Sequence, residues 1–149
     1  MTNVKLAELF VELADILELA NEKPTQLQSY RNIAARIRLT KKQLNSMTDE
    51  EIQRLPGATR GIVEKIKYAL ENGTFPALES RRASRHGEFY KIAKGIGITP
   101  LRFRDLLTKI NVKSLDELKI ALKVVPDNSY NKIDTDMLNK IAVYIGARK

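Results

Sequence analysis

Apolar residues recur at intervals of three and four along most of the chain, the spacing of helices that bury one face. The first stripe consists of Leu6, Leu9, Phe10, Leu13, Ile16, Leu17 and Ala20. Later stripes run through Leu27, Tyr30, Ile33, Ala34 and Ile37, then Ile62, Ile66, Ala69 and Leu70, and finally Leu138, Ile141, Ala142 and Ile145. No segment alternates as a half-buried strand does. The pattern therefore predicts an all-α fold built from short helices.

Helix ends are also marked in the sequence. The predicted starts are Pro24, Thr48 with Glu51, Thr99 with Pro100, and Ser114 with Glu117, and the predicted stops are Gly73 and Gly146. We predict two helical subdomains, residues 1–80 and 88–149, joined by a connector at 81–87. Residues 126–129 are predicted to form a turn inside the second subdomain.

Two glycine-containing turns between predicted helices echo each other. Leu55-Pro56-Gly57-Ala58-Thr59 is the first, and Ile92-Ala93-Lys94-Gly95-Ile96-Gly97-Ile98 is the second. Both are typical of a helix-hairpin-helix turn, although either could be an ordinary corner between helices. The second is the stronger match, with both glycines expected to open the turn and the central isoleucine to pack inward. Thr59 stands in the first turn where a second glycine is usual.

Such turns are suited to binding phosphate. Glycine lets a phosphate approach the main chain closely, and the first amides of the following helix can donate hydrogen bonds to it. These contacts position a duplex but carry no information about base sequence. The predicted DNA contacts are Arg31, Gly57, Thr59, Arg60, Gly61, Lys94, Gly95, Gly97, Thr99 and Arg102.

The charge balance points to the same class of partner. The chain holds 26 Lys and Arg against 18 Asp and Glu, a net charge of +8. Basic residues concentrate at 23–42 and 81–104, beside the two turns, although any single run could be a solvated face. We therefore expect DNA as the partner, bound through its backbone. No apolar run approaches the ~20 residues of a membrane span, so no membrane partner is expected.

Cysteine is absent, and His86 is the only histidine. This composition excludes disulfides and thiolate metal sites, and it argues against any metal site or a catalytic triad. We expect an intracellular protein of a reducing compartment, whether nucleus, cytoplasm or virion.

Several motifs in order resemble one enzyme family. They are Ser29-Tyr30-Arg31-Asn32-Ile33-Ala34-Ala35, Leu55-Pro56-Gly57, Ile62-Val63-Glu64-Lys65-Ile66, Glu71-Asn72-Gly73-Thr74, Gly95-Ile96-Gly97 and Ser114-Leu115-Asp116-Glu117-Leu118. Together, residues of about 5–145 resemble the N-terminal part of family X DNA polymerases, the group of DNA polymerase beta. The resemblance implies a lyase-like domain followed by a fingers-like domain. It also implies a monovalent cation on hairpin carbonyls; no other cofactor is expected.

The resemblance further implies a lyase site in the first subdomain. Lys65 matches the lysine that forms a Schiff base with an abasic sugar, and Tyr30 and Glu64 match residues beside it. Two departures limit what carries over. The chain stops where the palm and its metal-binding aspartates would begin, so polymerase activity is not expected. Uncharged residues stand at the positions aligned with the phosphate-binding basic groups, namely Gln26, Gln53, Gly61 and Ala77.

The sequence thus predicts a protein that binds gapped, nicked or flexible duplex DNA in repair or replication. An active 5′-deoxyribose phosphate lyase is one alternative, and a structural or packaging DNA protein, as a virus might encode, is another. The chain could also be an excerpt of a longer polymerase. Lys65 itself could be a solvated helix lysine, with Tyr30 in the core and Glu64 on the surface.

Overall fold

Helices make up the regular structure, as the apolar spacing predicts. The computed structural model describes residues 1–123 and 132–146, and these contain nine α-helices and no strand. The helices are α1 (Asn3–Leu19), α2 (Pro24–Leu39), α3 (Asp49–Gln53), α4 (Arg60–Asn72), α5 (Pro76–Arg82), α6 (Arg85–Ile96), α7 (Pro100–Lys109), α8 (Leu115–Lys123) and α9 (Lys132–Tyr144). They form two units, Met1–Arg82 and Ala83–Lys149. The predicted all-α class is confirmed, and the predicted turn at 126–129 lies outside the described residues.

The core of the first unit is the contact of α1 with α2, its most extensive helix pair. Phe10 of α1 is fully buried, and its ring lies 6.1 Å from Tyr30 of α2 and 5.2 Å from Phe75, which precedes α5. Burying one such ring stabilises a fold by roughly 1.5–3 kcal/mol. Phe10 therefore joins α2 and the start of α5 to the same helix.

Two arginines of α5 pair with acidic residues in α1 and just after it. Arg82 on α5 pairs with Glu12, and Arg81 pairs with Glu22 at 3.2 Å. Glu12 is only 18% exposed, so its charge is partly removed from water. Glu12 and Glu22, two of the acidic residues in the segment 1–22, thus hold α5 against α1.

Asn3 is a buried polar residue that fixes the segment leading to α3. Its side-chain amide donates to the carbonyls of Thr40 and Lys42, and its side-chain oxygen accepts from the Leu44 amide at 2.9 Å. Every polar atom of this side chain is therefore satisfied, as burial requires. The chain between α2 and α3 is held against the first turn of α1.

The second unit has its own core around Phe89 of α6 and Phe103 of α7, whose rings lie 5.8 Å apart. Leu118 of α8 and Ile141 of α9 are fully buried as well. Asp134, in the first turn of α9, is nearly buried and binds the Lys109 ammonium at 2.8 Å. The unit thus gathers the four helices α6 to α9.

The predicted connector at 81–87 is wrong in extent. Helix α5 continues to Arg82, and α6 begins at Arg85 after the N-cap Ser84, whose hydroxyl accepts from the Gly87 amide at 3.3 Å. Serine is a favoured N-cap, so the helix start was marked in the sequence. The run of arginines and serines concealed it, because their polarity resembles that of a linker.

Candidate nucleic-acid interface

The first hairpin connects α3 to α4 and is closed by its own backbone. The Ala58 amide donates to the Leu55 carbonyl at 3.0 Å, and Gly57 takes a φ of +86°, the left-handed conformation that favours glycine. Thr59 then caps α4, its hydroxyl accepting from the Ile62 amide at 3.3 Å. The turn is therefore set by a glycine and a threonine two residues apart.

Two interactions hold α3 in place before this turn. Thr48 and Glu51 form the predicted capping box, with side chain and backbone bonded in both directions. Asp49 of α3 binds Lys67 of α4 at 2.8 Å across the hairpin. The pair is exposed, so solvent weakens it, but it links the two helices directly.

The second hairpin, between α6 and α7, repeats the first. Gly97 has a φ of +77°, and Thr99 caps α7 by accepting from the Arg102 amide at 3.3 Å. Gly57 and Thr59 therefore correspond to Gly97 and Thr99. The sequence analysis compares Thr59 with the second glycine, Gly97, and thereby pairs Gly57 with Gly95, which is two residues out of register. In the correct register Thr59 corresponds to the N-cap Thr99 and does not replace a glycine.

Gly95 does not open the turn, so this part of the sequence interpretation is wrong. It lies inside α6, and a Cβ atom placed on it would be 2.3 Å from Cε2 of Tyr144 on α9. A side chain is excluded there by a ring, not by an approaching phosphate. Tyr144 was missed by the sequence analysis, because nothing in the spacing indicates which ring crosses a helical glycine. Ile96, expected to pack inward, is only half-buried.

The two hairpins differ in the hydrogen-bond donors they offer. The first amides of a helix have no partner within the helix. In α4 these belong to Arg60 and Gly61, both exposed, whereas α7 begins with Pro100, which has no N–H. The first hairpin therefore offers one more backbone donor to a phosphate, and the sequence-based ranking of the two is reversed on this criterion.

The basic residues selected from the sequence have different surroundings. Arg31 binds Asp15 at 3.0 Å and Glu18 at 2.7 Å, both on α1. Burial opposes its charge, but hydrogen bonds to Glu18 and Asp15 outweigh this and raise the pKa of Arg31. This arginine holds α2 on α1, and its predicted contact with DNA stays a prediction.

The cations near the turns are more accessible. Arg60, at the start of α4, is 93% exposed and pairs with Glu64 at 3.5 Å. Lys94 is exposed beside the second hairpin, with its ammonium 5.9 Å from the centre of the Tyr90 ring, and Arg102 is exposed in the first turn of α7. These three side chains lie within a few residues of the turn glycines.

Of the three residues aligned with the lyase site, two come together. The Lys65 ammonium lies 5.8 Å from the centre of the Tyr30 ring, and a Cβ on Gly61 would be 3.9 Å from it. Lys65 is half-buried and Tyr30 buried. Glu64 lies in a different place: with Arg60 it lines an open pocket of about 480 Å³ whose lining does not include Lys65.

The net positive charge is concentrated in the second unit. Met1–Arg82 carries 13 Lys and Arg against 11 Asp and Glu, whereas Ala83–Lys149 carries 13 against 7. The net charges are +2 and +6. The first unit thus has the better-equipped hairpin and the second has the stronger long-range attraction for a polyanion.

Neither a metal-binding cluster nor a membrane-spanning helix occurs in the part of the chain that the structure describes. Across residues 1–123 and 132–146, no three His, Asp or Glu side chains are placed to hold a metal ion together. Over the same ranges, no helix combines the length and the apolar character needed to cross a bilayer.

Comparison with known families identifies the first unit. The model of a family described as a helix-hairpin-helix domain matches residues 1–75, which contain α1 to α4 and the Gly57 turn. Comparison with curated proteins finds no match. The second hairpin lies outside the matched range, so its assignment rests on its geometry.

Proposed function

Because the chain belongs to the helix-hairpin-helix domain family, we propose that it binds DNA through the phosphate backbone and does not read base sequence. The observation that carries this proposal is the open approach at Gly57. A Cβ there would meet no atom within 4 Å, and the exposed residues Arg60 and Gly61, whose amides begin α4, follow three and four residues later. A phosphate oxygen can reach these donors at the positive end of the α4 dipole.

The second hairpin extends the same mode of binding. Gly97 is as open as Gly57, Thr99 caps the next helix in the same way, and Lys94 and Arg102 lie close by. Each unit thus supplies one hairpin, and each hairpin engages the backbone separately. We propose gapped, nicked or flexible duplexes as the substrates, in DNA repair or replication. The resemblance to family X polymerases supports this choice.

Sequence tolerance is the property to test first. Fluorescence anisotropy should give dissociation constants for unrelated duplexes of equal length and shape, at one salt concentration. We expect them to agree within about threefold, whereas a base-reading protein loses roughly 5- to 100-fold for each changed base pair. A reproducible preference of that size for one sequence would contradict the proposal.

A second candidate is lyase activity at Lys65. In its support, the amine is held at the Tyr30 ring beside the exposed first turn of α4. Its neutral amine would attack the C1′ aldehyde of a 5′-deoxyribose phosphate, and loss of water would leave an imine. β-Elimination would then break the C3′–O3′ bond with the DNA 5′-phosphate as leaving group, and hydrolysis of the imine would release the sugar phosphate and restore Lys65. Against it stand Gln26, Gln53, Gly61 and Ala77, since none can bind that phosphate by charge.

Borohydride trapping distinguishes this candidate from a purely binding or packaging protein. Reduction of the imine gives a stable secondary amine, so wild type should become covalently attached to the DNA end. Lys65→Ala should lose most of the adduct, whereas Lys67→Ala, which removes a cation from the same helix, should keep it. No adduct under conditions where the DNA is bound would exclude lyase chemistry.

The resemblance also supports a monovalent cation at the hairpin carbonyls. Binding measured in potassium and in tetramethylammonium chloride at equal ionic strength tests this. Tighter binding in potassium is expected, and equal binding in both salts would contradict it.

A further inference from the structure

An apolar recess opens on the second unit between the end of α6 and the last turns of α9. It has a volume of about 440 Å³ and is lined by Ile96, Asn139, Lys140, Val143 and Tyr144. Val143 is 59% exposed and Tyr144 51% exposed. Two large apolar side chains thus line a recess that is open to solvent, on a unit whose net charge is +6.

The Tyr144 ring has a defined position in this recess. A Cβ on Gly95 would lie 2.3 Å from Cε2, 2.5 Å from Cζ and 2.7 Å from the hydroxyl oxygen of this ring, so the ring covers the backbone of α6 where a side chain would stand. Contact with α6 on one part of the ring leaves about half of the residue open. The ring is therefore oriented before any ligand binds, and less conformational entropy is lost on stacking.

The recess adjoins the second hairpin. Ile96, one of its walls, directly precedes Gly97, the left-handed glycine of the turn. Lys140 brings a cation to its lining. An apolar surface with an aromatic ring, a basic rim and a neighbouring phosphate-binding turn matches a nucleotide, which has a flat apolar base on a charged backbone.

We propose that this recess takes an unpaired DNA base, stacked on Tyr144, while the second hairpin binds the neighbouring phosphates. The proposal rests on the proposed function and deepens it, because stacking of an unpaired base would make the protein bind gapped duplex more tightly than paired duplex. Stacking tolerates every base, so the preference is for an unpaired nucleotide rather than for a sequence. The basic charge of the unit favours DNA over an apolar peptide or a second copy of this chain as the occupant.

Substitutions of Tyr144 separate stacking from simple apolar contact. Tyr144→Phe keeps the ring, and Tyr144→Leu keeps an apolar side chain without it. Tyr68→Leu is the matched control, since Tyr68 is a 45% exposed tyrosine on α4 of the other unit. Affinities should be measured for a duplex with a one-nucleotide gap and for the fully paired duplex of the same sequence.

We expect wild type, Tyr144→Phe and Tyr68→Leu to prefer the gapped duplex. Tyr144→Leu should bind the gapped duplex roughly 5- to 100-fold more weakly, with little change for paired duplex. As an independent readout, irradiation of a gapped duplex carrying 5-iodouracil opposite the gap should crosslink it to Tyr144, located by mass spectrometry.

Two results would overturn the inference alone: equal behaviour of the Leu and Phe variants, or equal losses on gapped and paired DNA, with wild type still binding paired duplex. An occupant that needs only apolar contact would give the first of these. If wild type binds neither DNA, the proposed function fails and this inference fails with it.

Discussion

Gly57→Ala tests the first hairpin with little disturbance elsewhere. The added methyl meets no atom within 4 Å, so no steric clash inside the protein accompanies it. The cost to folding comes from the φ of +86°. A left-handed conformation costs an L-residue about 1–2 kcal/mol, and the stiffer unfolded chain offsets about 0.4–1 kcal/mol of this. A net loss near 1 kcal/mol lowers the Tm by roughly 4–8 °C for a unit of this size.

Gly73→Ala is the matched control. Gly73 lies at the other end of α4 with a φ of +80°, and a Cβ there also meets nothing within 4 Å. The two variants should lose similar stability. Only Gly57→Ala places its methyl where we propose that a phosphate approaches the Arg60 and Gly61 amides.

Loss of one charge-assisted phosphate contact costs about 1.5–3 kcal/mol, which corresponds to roughly a 10- to 100-fold weaker affinity. We therefore expect that loss for Gly57→Ala and a change within about twofold for Gly73→Ala. Thermal unfolding by circular dichroism and binding by anisotropy give both quantities. Equal affinity losses in the two variants would show that destabilisation, not phosphate access, is being measured. Unchanged affinity in folded Gly57→Ala would refute the hairpin assignment.

Three further predictions follow from individual residues. Gly97→Val should weaken DNA binding with helical content largely retained. Gly146→Val, at an equally open left-handed glycine, should leave DNA binding unchanged. A folded Gly97→Val variant with wild-type affinity would exclude the second hairpin from the DNA interface. Lys65→Ala should leave duplex affinity within about twofold, because phosphate contacts are spread over many donors; a large loss in anisotropy would place Lys65 in the DNA interface. The hydrogen bond from the Thr48 backbone amide, followed by that from the Lys42 ammonium, lowers the pKa of Glu51. The stabilisation by ionised Glu51 is therefore present above the unfolded pKa near 4.5 and is lost as the pH falls through the lower folded pKa. Between about pH 5 and pH 3 the Tm of wild type should therefore fall more than that of Glu51→Gln, and parallel curves would contradict this.

Much of the fold could be predicted because its signals are local. The apolar stripe of α1, the capping box at Thr48 and the stop at Gly73 are each set by residues within a few positions of one another. Helix α5 was missed because its seven residues give too short an apolar stripe to recognise. Its packing on α1 depends on the ion pair between Arg82 and Glu12, which are 70 residues apart in the sequence, and no local pattern indicates such a contact.

The candidate site was predictable only in part, for the same reason. Gly57 and Gly97 act through their own backbone, and the Thr59 and Thr99 hydroxyls accept from amides only three residues away, so the roles of these residues in the turns are local. Gly95 was misread, because its partner Tyr144 lies on α9 and becomes its neighbour only after folding. The ion pairs of Arg31, likewise, depend on how α2 packs on α1.

The central claim, that the protein binds DNA through its phosphates, is tested most directly by the salt dependence of affinity. Dissociation constants for one gapped duplex should be measured over a series of potassium chloride concentrations at fixed pH. If two hairpins and their neighbouring cations neutralise about four to six phosphates, the logarithm of the association constant falls against that of salt with a slope of roughly −4 to −5. A slope between about 0 and −1, with binding intact, would mean that few phosphates are contacted and would contradict the account.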